Sequence, residues 1–334
     1  MKKLLDGNVA VVNQLITAED KFPLELYLKG KANDWDPTQI NMSEDIKQWQ
    51  SKDALSQDER LLVQRVLGFF SSTESMVQNN LMLAVQRFIT DGACRHYLAR
   101  QVWEESIHNT TMEVCVSALN LDRDEVANAY INIPTIKAKN KFLNTVTSDL
   151  FRRDFDIETL EGKQEFIRNL FGFYIICEGV FFYSGFAMAL ALGRQNKMIG
   201  LCDQIRYTLR DESGHIEFGT YLLNRLRNEY PEAWTPEFVL TLVAFMKEAV
   251  SLEINYSKDA LPNGILGLNA EMFIDYMQFI GNRRLGAIGI DFRFESDKNP
   301  FPWLSESADM KVMGAFFERH ERNYQKASAV VDDF

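Results

Sequence analysis

Apolar residues recur at helical intervals over long stretches of this chain. Over about 56–89, Leu61, Leu62, Val66, Phe69 and Phe70 keep that spacing. Ser56-Gln57-Asp58-Glu59 has the order of a capping box, in which a serine hydroxyl and a glutamate satisfy each other's backbone amides. Gly92 is expected to close this helix, a second is expected over about 93–119, and Pro134 falls in the connection that follows. Further helices are expected over about 162–192, 197–228, 236–258 and 269–288, with Gly193, Pro231 and Pro262 to Gly264 as breakers. Alternating apolar and polar runs bounded by turn residues are nearly absent, so the pattern predicts an all-α protein. Long helices joined by short loops imply one bundle, residues 1–317, with no internal domain boundary. From about Glu318 the pattern stops: Arg319 to Asn323 are polar and the chain ends Val330-Val331-Asp332-Asp333-Phe334. Residues 318–334 are therefore expected to form a mobile tail that a partner captures.

The 334 residues suffice for a large core, and 46% hydrophobic and 25% charged residues mark an ordinary globular protein. A net charge of -11 argues against direct nucleic-acid binding, which needs a basic footprint. Cys94, Cys115, Cys177 and Cys202 show no C-x-x-C spacing, and a reduced cytoplasmic chain fits them best. The first twenty residues lack the continuous apolar run of a signal peptide. From Asn169 to Gly193 the only charge is Glu178, a length that could span a bilayer. A buried core helix is the expectation here, since a lone carboxylate in mid-span is costly in lipid and no second such segment exists.

Two E-x-x-H motifs, Glu105-Ser106-Ile107-His108 and Glu212-Ser213-Gly214-His215, fall within expected helices and use half of the chain's four histidines. Residues three apart on a helix face the same neighbour, so each motif offers a carboxylate and an imidazole to one point. Two more helices each carry a single acid in an uncharged stretch: Glu74 between Glu59 and Asp91, and Glu178. A buried, unpaired carboxylate costs several kcal/mol, so each calls for a cation or a shifted pKa. Taken singly, Glu105 and Glu212 could be solvated surface, the histidines core imidazoles, and Glu74 or Glu178 partners of a buried arginine. Together they form the Glu, Glu-x-x-His, Glu, Glu-x-x-His order of ferritin-like di-metal bundles. Four carboxylates would neutralise two divalent cations, oxygen and imidazole ligands suit iron or manganese, and Glu74 and Glu178 are expected to bridge the two ions.

The chain resembles the small, radical-generating beta subunit of class I ribonucleotide reductase over most of its length. The likeness is carried by W-E-E-S-I-H-N at Trp103, E-G-V-F-F-Y at Glu178, R-D-E-S-G-H at Arg210, I-G-N-R-R-L-G-A-I-G at Ile280 and N-P-F-P-W at Asn299. The resemblance implies a ferritin-like helical bundle with additional helices, assembled as a homodimer. It implies a dinuclear centre that reacts with O2 and passes an oxidising equivalent to a large catalytic subunit, which reduces ribonucleoside diphosphates to deoxyribonucleotides. It further implies that Glu74, Glu105, His108, Glu178, Glu212 and His215 are the metal ligands, that Asp211 orients His108, and that Trp35 and Tyr324 belong to the radical-transfer route. The C-terminal tail would then dock on the large subunit.

Two positions depart from the family pattern. The radical-storing tyrosine of the family stands one turn after the first-motif histidine, where this chain has Met112, and Glu74 stands where many members have Asp. Both resemble the subclass that keeps the oxidising equivalent on a manganese/iron pair, although the same ligands would accept two iron or two manganese ions. Phe182 and Phe186 would then shield the centre, and Tyr207 would deliver the extra electron of activation. The competing readings are a ribonucleotide-reductase-like ligand-binding oxidase with a Mn/Fe centre, which has no use for a tail tyrosine, and a ferritin-like metal store, which would need an acidic inner surface.

Overall fold

The computed structural model describes residues 3–5, 15, 20–147, 150 and 152–304. Its helices are α1 (Phe22–Ala32), α2 (Ser43–Gln50), α3 (Gln57–Asn80), α4 (Gly92–Ala118), α5 (Pro134–Thr147), α6 (Leu160–Leu170), α7 (Phe182–Gly193), α8 (Ile199–Glu229), α9 (Pro236–Ala260) and α10 (Met272–Ala287), with shorter helical turns between some of them. Among the described residues there is no strand, only an isolated bridge between Ile265 and Leu268. The fold is an all-α bundle.

Local chemistry explains most of the boundaries. The Ser56–Glu59 capping box forms at the start of α3, with both reciprocal hydrogen bonds present. Gly92 opens α4 and does not close the preceding helix. The Asp91 side chain accepts from the amides of Ala93 and Cys94, and a capped start of this kind outweighs the usual reading of glycine as a stop. Pro134 likewise begins α5 and is no loop residue, because a proline in the first turn gives up no helical hydrogen bond. α8 is capped from a distance: Asp45 of α2 accepts from the amides of Gly200 and Leu201 at 2.9 and 2.8 Å.

Two stretches expected as ordinary α-helix are π-helical, Leu81–Val85 after α3 and Phe171–Phe181 between α6 and α7. The second contains Glu178. Wider π turns are uncommon and occur where a helix must re-aim a side chain. Here the Gly179 carbonyl accepts from Arg284 Nε of α10 at 2.9 Å. On the same segment Tyr174 lies against Gly219 of α8, where a Cβ would stand 2.1 Å from the ring. Leu160–Gly193 is long and apolar enough to cross a bilayer, yet 94% of its most apolar window is buried inside the protein. It is the central rod of the bundle, flanked by α8, α9 and α10.

The core also buries an ion pair that the hydrophobic pattern does not reveal. Lys139 of α5 and Glu253 of α9 are both fully buried, 2.8 Å apart, close in distance but not aligned as a hydrogen bond. The ammonium lies 3.3 Å from the Phe69 ring centroid and 4.0 Å from that of Tyr256, and Ser184 of α7 donates to Glu253. Burial lowers Lys139 to about 8 and raises Glu253, so desolvation opposes both charges while their attraction offsets it. Truncating one partner strands the other: Glu253→Ala should lower unfolding free energy by about 3–5 kcal/mol, whereas Lys139→Met with Glu253→Leu should recover most of that loss. Denaturant titration of the two variants checks this, and an unchanged midpoint for Glu253→Ala would show that the pair contributes nothing.

Candidate metal centre

Four helical segments deliver the six expected ligands to one place. Glu74 comes from α3, Glu105 and His108 from α4, Glu178 from the π-helical segment, and Glu212 and His215 from α8; all six are fully buried. Ligand atoms of Glu74, Glu105, His108 and Glu212 lie within 4.8 Å of one another, and so do those of Glu105, Glu178 and His215. Glu105 therefore belongs to both groups. Its Oε2 is 3.6 Å from His108 Nδ1 and its Oε1 is 3.2 Å from His215 Nδ1. Glu212 spans the gap in the same way, with Oε1 3.1 Å from His108 Nδ1 and Oε2 3.3 Å from His215 Nδ1. Glu74 faces only the His108 side, at 3.6 Å, and Glu178 only the His215 side, at 3.8 Å. The motif glutamates each face both imidazoles, and Glu74 and Glu178 one each, so a bound pair would be bridged by Glu105 and Glu212, the reverse of the sequence expectation. An acid three residues before a histidine reaches across to the opposite motif as readily as to its own.

These residues fit a pair of cations. Both carboxylate oxygens of Glu74 and of Glu105, Glu178 Oε2, Glu212 Oε1 and both nitrogens of His108 are buried without a hydrogen-bond partner. Buried polar atoms are normally paired, and atoms this close without alignment to one another converge on points between them. The electrostatics agree. Burial raises Glu74 to about 8 and lifts Glu178 far above the usual carboxylate range, where Glu212 pushes it further. Burial also acts on Glu105, but attraction to the nearby His215 and His108 imidazoles brings it down to about 2. Desolvation disfavours charge on His108 and His215, yet the surrounding carboxylates raise both well above the ordinary value. Such a cluster ionises fully only around positive charge.

Glu178 and the two imidazoles each have a neighbour outside the cluster. His108 Nε2 stands 3.5 Å from Asp211 Oδ2, long for a hydrogen bond, and Trp35 Nε1 donates to the same oxygen at 2.7 Å. The half-buried Trp35 packs on Tyr207, ring centroids 5.1 Å apart, and Tyr207 is 39% exposed. His215 Nε2 meets Glu104 Oε2 at 2.9 Å. Glu178 Oε1 accepts from Gln101 Nε2 at 3.2 Å, and Gln101 accepts from the Tyr174 hydroxyl at 2.8 Å. Phe182 and Phe186, four and eight residues after Glu178, pack with Phe70, which is stacked on Phe186 at 5.3 Å in the space left by Gly185. Met112 is buried, one turn beyond His108. Tyr324 and the tail lie outside the described residues.

Sequence reasoning missed Gln101, Tyr174 and Glu104. Gln101 had a detectable signal, since it precedes Glu105 by one helical turn and shares its face. Glu104 had one too: both motifs read acid-acid-x-x-His, Glu104-Glu105 in one and Asp211-Glu212 in the other.

The profile of the family described as "Ribonucleotide reductase, small chain" matches residues 12–300. A Chlamydia pneumoniae protein named ribonucleoside-diphosphate reductase subunit beta is 47% identical over 326 residues, covering 98% of this chain and 94% of that protein. The solved ribonucleotide reductase R2 subunit from Clostridium botulinum has a TM-score of 0.84 at 26% identity, covering 92% of this chain and 95% of that one. An R2-like ligand-binding oxidase with a reconstituted Mn/Fe cofactor has a TM-score of 0.67 at 22% identity, covering 82% of this chain and 95% of its own, a likeness of fold alone. With six convergent buried carboxylates and imidazoles on a four-segment bundle and matches along nearly its whole length, the chain belongs to the ribonucleotide reductase small-chain family, whose members act as oxidoreductases together with a large catalytic subunit.

Proposed function

We propose that this subunit holds a manganese/iron pair and supplies the large subunit with an oxidising equivalent that no tyrosine stores beside the site. The carrying observation is Met112, 3% exposed and one turn after His108, at the place where the family resemblance puts a phenol. A thioether has no O–H bond to break and cannot form a neutral oxygen radical. A bound pair would supply reaction with O2 and a place to keep the resulting equivalent, and the oxygen-rich ligand set suits manganese and iron. Two iron or two manganese ions are the alternatives.

The surrounding residues have separable tasks. Phe70, Phe182 and Phe186 exclude water. Asp211, its carboxylate kept below the ordinary range against burial by His108 and Arg210, holds the Trp35 indole N–H and links it to His108. Trp35 would conduct the equivalent outward, and Tyr207 packed on it would admit the electron needed in activation. Tyr324, on the tail from about residue 318, would complete the route after docking. The subunit would work as a cytoplasmic homodimer, residues 1–317 forming one domain.

The test is reconstitution of the metal-free chain with iron alone, manganese alone and both, assayed with the large subunit and by electron paramagnetic resonance. Highest activity with both metals and no tyrosyl signal is expected. Full activity with iron alone, accompanied by a tyrosyl signal, would overturn the reading of Met112.

A further inference from the structure

We propose that Glu104 is the positioning residue for the metal held at the His215 side, and that the two imidazoles are oriented crosswise by the acids preceding each other's motif. The inference rests on the reading of the six buried residues as a two-metal site. His215 Nδ1 faces Glu105, Glu178 and Glu212, so a ring that binds metal through Nδ1 must carry its proton on Nε2. That nitrogen meets one group, the Glu104 carboxylate, at 2.9 Å. The partner acid fixes the tautomer, aims the Nδ1 lone pair inward and raises the basicity of the ring.

Glu104 cannot turn away. Its other oxygen accepts from Arg100 Nε at 2.8 Å, and Arg100 Nη2 reaches Asp34 Oδ1 at 2.9 Å. Asp34 also accepts from Trp103 Nε1 at 3.0 Å. α1 packs directly over the pair, since a Cβ on Gly30 would stand 2.6 Å from Glu104 Oε1. The arrangement mirrors the other imidazole, where Asp211 of α8 serves His108 of α4 while Glu104 of α4 serves His215 of α8. Both arms end on one loop: Arg210, paired with Asp211, donates to the Asn33 carbonyl, and Arg100 is held by Asp34, next to Trp35. The His215 contact is the shorter of the two, so Glu104 is at least as well placed for orientation as Asp211.

A salt bridge that merely supported the fold would change stability without distinguishing the two metal positions. The full-length chain is titrated anaerobically with Mn(II) against a competing chelator, with Glu74→Ala and Glu178→Ala marking which binding step belongs to which side. Glu104→Ala should weaken by about 10–100-fold the step that Glu178→Ala removes, leaving the other unchanged, and Glu104→Gln, which keeps an acceptor oxygen, should fall between it and the parent. Should Glu104→Ala fail to fold, Glu104→Gln and Arg100→Gln carry the same comparison. Equal affinities in variant and parent, or equal weakening of both steps, would overturn the role of Glu104. A parent chain that binds fewer than two Mn(II) ions would instead remove the two-metal reading beneath it.

Discussion

Replacing Glu105 with Ala should cost this protein both metals, where replacing Glu74 or Glu178 should cost one. Glu105 is the residue common to both ligand groups, with one oxygen towards each imidazole. Its loss leaves three carboxylates to offset two divalent cations and removes one of the two groups joining them. Glu212 alone would then span the gap, in a fully buried site where water is a poor substitute. A terminal acid contributes to one side only, and His108→Ala and His215→Ala should likewise unload their own sides. Metal analysis of the purified variants reads the ratio directly. Two metals per chain in Glu105→Ala would show that the bridging places have been misassigned. The metal-free variant should keep its helical content, since removing one of four crowded acids relieves repulsion in the core.

Tyr324→Phe should abolish nucleotide reduction while leaving the metal content and oxidised centre intact. The proposed route begins at His108, Asp211 and Trp35, joined by contacts of 3.5 and 2.7 Å, and needs a redox-active residue beyond the bundle. A phenol can give up its proton and an electron; a phenyl ring has no O–H to lose. The barrier to oxidising phenylalanine would exceed the tyrosine's by several kcal/mol, so turnover with the large subunit should fall at least about a hundredfold. Undiminished turnover by this variant would exclude the relay. Trp35→Phe should produce the same separation from the other end, keeping the metals and losing turnover, because it removes the indole N–H that meets Asp211.

Much of this site was legible in the one-dimensional order of residues. Helical spacing, the scarcity of histidine and two solitary acids in apolar stretches single out all six residues that converge in the core, because an i, i+3 pair or a charge without neighbours is a local property. The long helices follow for the same reason, and so does the burial of 169–193, whose lone carboxylate has to be inside something. Which acids bridge depends on the separation of α4 and α8, a distance that no local pattern encodes. The Gly179 carbonyl beside Glu178 is met by Arg284 of α10, the start of α8 by Asp45 of α2, and Nε2 of His215 by Glu104 of α4. Lys139 and Glu253 have no local pattern that marks them as buried, and they become a buried pair only when α5 meets α9. Composition and periodicity thus determined which residues are candidate ligands and which segments are helices. Tertiary structure decided how each ligand is shared and held, because those choices depend on groups brought within 3 to 4 Å by packing.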